Sequence, residues 1–431
     1  MQAASRSTGQ SDIFVVEPNS DLSFDIQQFV HRGINLDSAA DEQTDQEFWQ
    51  RISQNVETEL WLDSGDESAI EPLWNPRFSG LTTNNSLLNA EVQKGIYDDL
   101  IPDANRLLET MVLDDRVREI AFILNTHHAL KLVEAYRCDV SVELHTDIAD
   151  DAEATMAFAR RCHAICPKHF IVKVPLTPAG LVAIKQLREE GIRVNCTIGF
   201  SARQNYLATA FANPSFVNVF LGRLNSYVAD NGLGDGKLVG EQTTLESQRE
   251  VAVFARGLPQ SDTKQIAASL RDAKQLPLLA GVDVITMPPK VAKQARETLQ
   301  QTWVSRRKVD YPEALETTDA DSDTNSLEKL WTVSKQERNL AQKIILNPPS
   351  TASELVDAAQ THEIDDLFPQ LSEPERNRIA ADGKIPKHDR WRDKFANGTI
   401  AIDSLMTLAA LAHFAADQAK LDARVREQLA K

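Results

Sequence analysis

At 431 residues the chain can bury a large core, as one big domain or two to three ordinary ones. Hydrophobic content of 42% and charged content of 25% describe a soluble globular protein. Its 63 acidic residues against 46 basic ones leave a formal charge of −17, which argues against a nucleic-acid backbone or an anionic membrane as the main partner. A few local arginines still suffice to make a pocket for a small anion. No apolar run approaches the ~20 residues that span a bilayer.

Met1 to Ser11 has no apolar core and no cleavage pattern, so no secretory signal is expected. Residues 1–55 read as a polar N-terminal extension, with one helix expected over Asp45–Val56. From Glu59 onward, short runs rich in Val, Ile, Leu and Thr alternate with longer amphipathic stretches. Strands are expected at Glu59–Asp63, Gly80–Asn84, Asp139–Glu143, Phe170–Val174, Arg193–Gly199, Phe216–Leu221, Gln265–Ser269 and Val282–Thr286. Helical patterns lie between them, among them Ala152–Ala164, Ala179–Glu190, Ser201–Phe211, Thr244–Arg256 and Lys290–Gln301. This alternation fits a (β/α)8 TIM barrel over residues 56–304. A doubly wound open sheet is the alternative, weakened because no Gly-x-Gly-x-x-Gly follows the first strand. Asn231-Gly-Leu-Gly-Asp-Gly236 follows the sixth strand but opens no clear helix, and reads more readily as a flexible loop than as a phosphate cradle.

Beyond Trp303 the composition shifts. Leu315–Asn325 is acidic and rich in Ser and Thr, and reads as a linker. Residues 305–395 form that linker and a helical insert broken by Pro348-Pro349, Pro369, Pro374 and Pro386. Residues 396–431 carry one long amphipathic helix, Ile402–Leu429, with Leu405, Leu408, Leu411 and Phe414 on its apolar side, expected to pack on the barrel.

Cys138, Cys162, Cys166 and Cys196 are too few and too irregular for a disulfide framework, and read as reduced thiols in a cytoplasmic protein. Cys162 and Cys166 lie near His163 and His169, but that spacing fits no standard zinc pattern, so no metal is expected.

Lys173 stands inside Phe170-Ile-Val-Lys-Val-Pro175, a run that reads as a buried parallel strand. A lysine there must be desolvated, paired or put to chemical use. Burial disfavours an ammonium, and a neutral amine can attack a carbonyl to form a Schiff base. The plain alternative is a strand-end lysine that reaches water. Active sites of such barrels lie at the C-terminal strand ends, and other polar residues fall there. Asp63 closes the first strand and Glu143 the third; a helix cap and an exposed strand end are their ordinary readings. Asn84 ends the second strand, or sits in a turn. Asn195 and Thr197 share one face of the fifth strand, and Asn218 and Phe220 one face of the sixth. Arg223 follows the sixth strand, and Ser269 and Arg271 share a parity at the seventh. Two arginines at neighbouring strand ends suit a phosphate clamp, although singly each is more often a surface ion pair. A lysine, two carboxylates, a threonine, amides and arginines together suit Schiff-base carbon–carbon chemistry on a phosphosugar.

In order along residues 59–300, these segments resemble the transaldolase family. Leu-Asp63-Ser-Gly-Asp is similar to its first-strand motif, Gly80-Leu-Thr-Thr-Asn84-Asn-Ser86 to its Thr-Thr-Asn-Pro-Ser signature, and Val-Ser-Val-Glu143 to its third-strand glutamate motif. Ile-Val-Lys173-Val-Pro, with Thr177 after it, resembles the Schiff-base strand. Asn195-Cys-Thr197-Ile-Gly-Phe-Ser201, Phe220-Leu-Gly-Arg223, Ala-Ser269-Leu-Arg271 and Ala280-Gly-Val-Asp-Val-Ile-Thr-Met resemble the last four strands. His413-Phe-Ala-Ala-Asp-Gln-Ala-Lys-Leu421 is similar to the closing helix of longer members. The resemblance implies Lys173 as the imine-forming lysine and Asp63 as the acid/base for bond cleavage, with Glu143 and Thr197 holding the catalytic water. It implies that Asn84 and Asn195 bind substrate, that Phe220 lines the pocket, and that Arg223, Ser269 and Arg271 grip phosphate; Asn218, on the Phe220 face, is a further substrate-binding candidate. No metal or organic cofactor is implied, since the imine replaces it.

The implied activity is transfer of a dihydroxyacetone unit from sedoheptulose 7-phosphate or fructose 6-phosphate to an aldose phosphate, in the non-oxidative pentose phosphate pathway. The rival is a fructose 6-phosphate aldolase, which releases free dihydroxyacetone. The Asn231–Gly236 loop and Val-Lys-Val-Pro resemble that shorter branch, whereas Glu143 in place of glutamine and the closing helix favour transaldolase. A catalytically silent barrel with a helical protein-interaction tail is the reading from another class. A homodimer is compatible with the resemblance, and the sequence does not give the oligomeric state. Three positions depart from the family: Asn85 stands at a usual proline, where a looser turn is expected, Asn218 at a serine of the longer members, and Gly199 at a bulkier residue. The insert is also longer than the family leads one to expect, and the sequence assigns it no role.

Overall fold

The computed structural model describes residues 13–37, 47–257, 261–311 and 327–431. The expected linker Leu315–Asn325 falls outside these, as do the first two residues of the helix expected at Asp45, which is seen as Glu47–Ser53.

Eight parallel strands close into a barrel in sequence order: β1 Glu59–Asp63, β2 Phe78–Thr82, β3 Asp139–Glu143, β4 Phe170–Pro175, β5 Val194–Thr197, β6 Phe216–Phe220, β7 Lys264–Ala268 and β8 Val284–Met287. The fold is a (β/α)8 barrel with added C-terminal helices; the open-sheet alternative is excluded by the β1–β8 pairing. The apolar runs form strands because both faces are covered, one by helices and one by the barrel interior. Trp61 fills the interior, with its ring 5.1 Å from that of Phe216. Gly80 makes room for it, since a Cβ there would lie 2.6 Å from the indole.

Each strand leads into a helix with a side-chain cap where the turn is tight. Thr177 caps Pro178–Glu189 and Ser201 caps Ala202–Ala212. Between β2 and β3 runs the long helix Leu113–Tyr136, which the sequence pattern did not single out. β5 is shorter than expected and ends at Thr197, because Ile198 adopts φ 59° and turns the chain out of the sheet.

Helices Lys335–Leu346, Ala352–Thr361 and Glu373–Asp382 follow the barrel, and Ile402–Leu429 closes the chain. The closing helix lies on Asn85–Gln93 and on Leu113–Tyr136, and Lys335–Leu346 lies on Ala202–Ala212. That cover buries Arg203 and Gln204 on a helix whose pattern suggested an exposed face, while Asn205 faces β6 and the helix Val239–Gly257. Leu405 and Phe414 of the closing helix are buried, while Leu408 and Leu411 are half-buried.

Candidate active site

Strand pairing places the chemistry of neighbouring strands side by side. Lys173 pairs in register with Glu143 on one side and Asn195 on the other. The Lys173 side chain is about 95% buried and points into the barrel, where Nζ donates to the Thr83 carbonyl at 3.0 Å and lies 3.6 Å from Glu143 Oε2. It does not reach bulk water.

Asp63, Lys173, Asn84, Asn195, Asn218, Phe220, Arg223, Ser269 and Arg271 all line one cavity of about 190 Å³ at the C-terminal end of the barrel. Glu143 and Thr197 are buried beside it with inward parity, Glu143 level with Lys173 and Thr197 two residues beyond Asn195. Thus all eleven candidate catalytic and substrate-binding residues lie toward the C-terminal end of the barrel. Asp63 is not a helix cap; that role belongs to Asp66. Instead Asp63 Oδ1 accepts from Thr82 Oγ1 at 2.7 Å. Burial pushes the Asp63 carboxyl up, against the Thr82 hydroxyl and the nearby cations Lys173, Arg271 and Arg223. Burial also pushes Glu143 up, opposed by Lys173 and by the Asn85 N–H, which donates to Oε2 at 3.3 Å. Burial thus moves both carboxyls in the same direction, and the surrounding cations oppose it.

A chain of amides crosses the floor. Asn218 Nδ2 donates to Asn195 Oδ1 at 3.0 Å, and Asn195 Nδ2 to Ser141 Oγ at 3.1 Å. Thr197 Oγ1 is buried without a hydrogen-bond partner among the described residues, leaving a hydroxyl available to a small polar ligand.

Two expectations about local geometry need correction. Asn84 lies beyond β2 and caps Asn85–Gln93, its Oδ1 accepting from Leu87 N at 2.9 Å. Ser269 and Arg271 are not related by strand parity, because β7 ends at Ala268 and Ser269 takes φ 68°. The turn, rather than the pleat, delivers both to the cavity. Gly222, in the first turn of the helix Leu221–Asp230, lets that turn pass close by; a Cβ on it would meet the Ser269 carbonyl at 2.0 Å.

The turn after Asn84 is also not loose. Asn85 is buried, and its Nδ2 donates to Gln418 Oε1 of the closing helix at 2.7 Å. The glycine at 199 has a steric cause: a Cβ would lie 2.4 Å from the Asn218 carbonyl and 2.7 Å from Asn205 Oδ1.

At the mouth, Arg223 lies over the rings of Phe220 and Phe414, 5.5 and 5.2 Å from their centroids. Burial, and then the neighbouring Arg271, lower its pKa to about 10. Its Nη1 is buried with no partner among the described residues.

Sequence reasoning missed Thr82, Ser141, Thr286 and Ser86 as parts of this region. Thr82 joins Asp63 to Thr286, whose hydroxyls meet at 2.8 Å. Ser141 could have been found, since it lies two residues before Glu143 on the same face. Lys384 also lines the cavity, and nothing in its local sequence signals this.

Residues 60–346 match the family described as Transaldolase/Fructose-6-phosphate aldolase. The chain belongs to that family. It is 39% identical over 243 residues to a probable transaldolase of Thermus thermophilus, covering 55% of this chain and 89% of that protein. It is 30% identical over 242 residues to a transaldolase of Xanthomonas euvesicatoria, covering 54% and 73%. Family membership makes an enzyme of the transaldolase/aldolase type the frame for this cavity. Among the described residues, no helix is long and apolar enough to cross a membrane.

Proposed function

We propose that the chain is a transaldolase, moving a dihydroxyacetone unit between phosphosugars through an imine on Lys173. The observation that carries this reading is the buried amine itself, 3.6 Å from Glu143 and in one cavity with Asp63 and two arginines. In this reading the Lys173 amine adds to the ketose carbonyl, and loss of water gives the imine. The protonated imine then accepts the electron pair of the breaking carbon–carbon bond. Asp63 takes the proton from the hydroxyl next to that bond, and an aldose phosphate leaves. The three-carbon unit remains as an enamine, adds to the carbonyl of an acceptor aldose phosphate, and is freed by hydrolysis.

Glu143 and Thr197 are the groups for the water that leaves and returns. Asn84, Asn195 and Asn218 are the amide contacts for sugar hydroxyls, with Phe220 as an apolar wall. Arg223, Ser269 and Arg271 face the phosphate end, and carry the orientation that brings the bond to the imine. In this reading the chain would act in the non-oxidative pentose phosphate pathway, in the cytoplasm.

Borohydride reduction in the presence of fructose 6-phosphate, followed by peptide mapping, tests the imine. An adduct is expected on Lys173 and none in Lys173→Ala; an adduct elsewhere, or none in the wild type, removes the reading. Transfer to erythrose 4-phosphate separates a transaldolase from an aldolase, which would release free dihydroxyacetone. The closing helix over the cavity, with His413 and Phe414 at its mouth, favours transfer, because it narrows the path by which water would reach a waiting enamine.

A further inference from the structure

The cavity has a cation that the barrel does not supply. Lys384 comes from the helical insert, far along the chain from every strand, yet lines the same cavity as Arg223 and Arg271. None of these three side chains has an ion-pair partner among the described residues. In a chain of net charge −17, three unpaired cations at one opening are a costly concentration of like charge.

The position of Lys384 is built rather than incidental. Helix Glu373–Asp382 stops at Gly383, whose φ of 74° turns the chain toward the cavity. Immediately beyond, the segment is fastened to helix Leu221–Asp230, the helix that carries Arg223. Asn231 Nδ2 donates to the Pro386 carbonyl at 3.1 Å, and its Oδ1 accepts from His388 N at 3.0 Å. Tyr227 OH and His388 Nδ1 are 2.6 Å apart, and the His388 ring stacks on Phe395 at 4.7 Å. Asn231 therefore opens its glycine-rich loop as an anchor for the insert; none of residues 231–236 lines the cavity.

We propose that Lys384 is a third cationic contact for the phosphate group of the substrate, so that the insert completes the anion site and sharpens selection for phosphorylated sugars. The proposal rests on the phosphosugar reading above. Burial and the nearby Arg271 and Arg223 also lower the Lys384 pKa, in keeping with a shared site. A dianionic phosphate is the ligand that relieves three converging positive charges at once.

The test uses the full-length protein and the exposed-site variants Lys384→Met, Lys384→Glu and Lys384→Arg. Inorganic phosphate binding is measured by calorimetry at two salt concentrations, and KM is measured for erythrose 4-phosphate and for erythrose. Lys384→Met should weaken phosphate binding by about fivefold, Lys384→Glu by more, and Lys384→Arg by little, with a shallower salt dependence in the first two. KM for the phosphorylated acceptor should rise by the same factor, and more than KM for erythrose. Phosphate binding within about twofold of wild type in both Lys384→Met and Lys384→Glu would overturn the proposal; so would equal effects on the two acceptors. Phosphate binding is read without turnover, so a failure of the imine chemistry, seen as no borohydride adduct, is distinguishable from a failure here.

Discussion

Two buried arginines, Arg203 and Arg223, sit on the helices either side of β6 and have opposite surroundings. Arg203 is gripped on every side. Asp403 accepts from Nε and Nη2 at 2.7 Å each, and Nη1 donates to Glu337 at 3.1 Å and Asp366 at 2.9 Å. Burial opposes its charge, but Asp403, Asp366 and Glu337 hold its pKa well above the usual value. Arg223 has aromatic faces, a neighbouring arginine and no carboxylate partner among the described residues. The first arrangement is complete and ties the C-terminal helices to the barrel. The second leaves a charge that, in the proposed reading, the substrate phosphate answers. Burial alone does not mark function; what separates the two is whether the charge is already answered.

The largest expected effect falls on the answered charge. Asp403→Ala leaves Arg203 buried beside fewer acids, and should cost about 3–5 kcal/mol of unfolding free energy, measured by denaturant titration. Ser201, whose hydroxyl donates to Asp403 Oδ2 at 2.6 Å, loses a partner in the same variant. Arg223→Met should leave stability nearly unchanged, since no carboxylate is abandoned and the apolar contacts with Phe220 and Phe414 persist. It should raise KM for phosphorylated substrates by about 10- to 100-fold, the worth of a charge-assisted hydrogen bond. Arg271→Ala should likewise raise KM more for phosphorylated than for unphosphorylated sugars. A loss of stability in Arg223→Met as large as that in Asp403→Ala would erase the contrast.

This contrast explains what could be read in advance. The strands were legible because each is a short apolar run with turn residues at its ends. Inward parity then selected Asn195 with Thr197 and Asn218 with Phe220 correctly. Parity failed at Ser269, where a left-handed residue replaces the pleat, and at Ile198, which shortens β5. Arg203 could not be recognised as a clasp, because its partners lie on helices whose docking is a tertiary event. Lys384 was invisible for the same reason: its place depends on Gly383 and on Asn231 meeting His388. Local pattern encodes which face a strand residue takes, but not which distant segment will cover it.

A smaller effect separates charge from shape at the other end of the cavity. Burial raises the Asp63 carboxyl above its ordinary 3.8, even after the attraction of Lys173, Arg271 and Arg223 is counted. A carboxyl raised on folding lowers stability above its folded pKa, and this penalty fades as pH falls through that value toward the unfolded one. Asp63→Asn keeps an acceptor for Thr82 and removes the penalty. The melting temperature should therefore rise by roughly 2 °C at pH 7.5, and the gain should shrink as pH falls toward 4, while bond cleavage is lost. A stability gain that persists undiminished to low pH would point to packing instead of charge.

The finest distinction concerns Asn85. Its backbone N–H donates to Glu143, and a proline has no N–H to give. The site is otherwise built for proline: residue 85 is the first of its helix, and Asn84 before it is extended at φ −159° and ψ 171°. Asn85→Pro should therefore fold, and should remove one donor that favours the ionised form of Glu143. The Glu143 pKa then rises further, so the acid limb of kcat/KM should move to higher pH. Asn85→Ala is the control, because it keeps the N–H and loses only the Nδ2 contacts with Gln418 and the Leu144 carbonyl. If the two variants shift the limb equally, the closing helix rather than the N–H governs Glu143; a shift in the proline variant alone makes residue 85 a tuning point for Glu143.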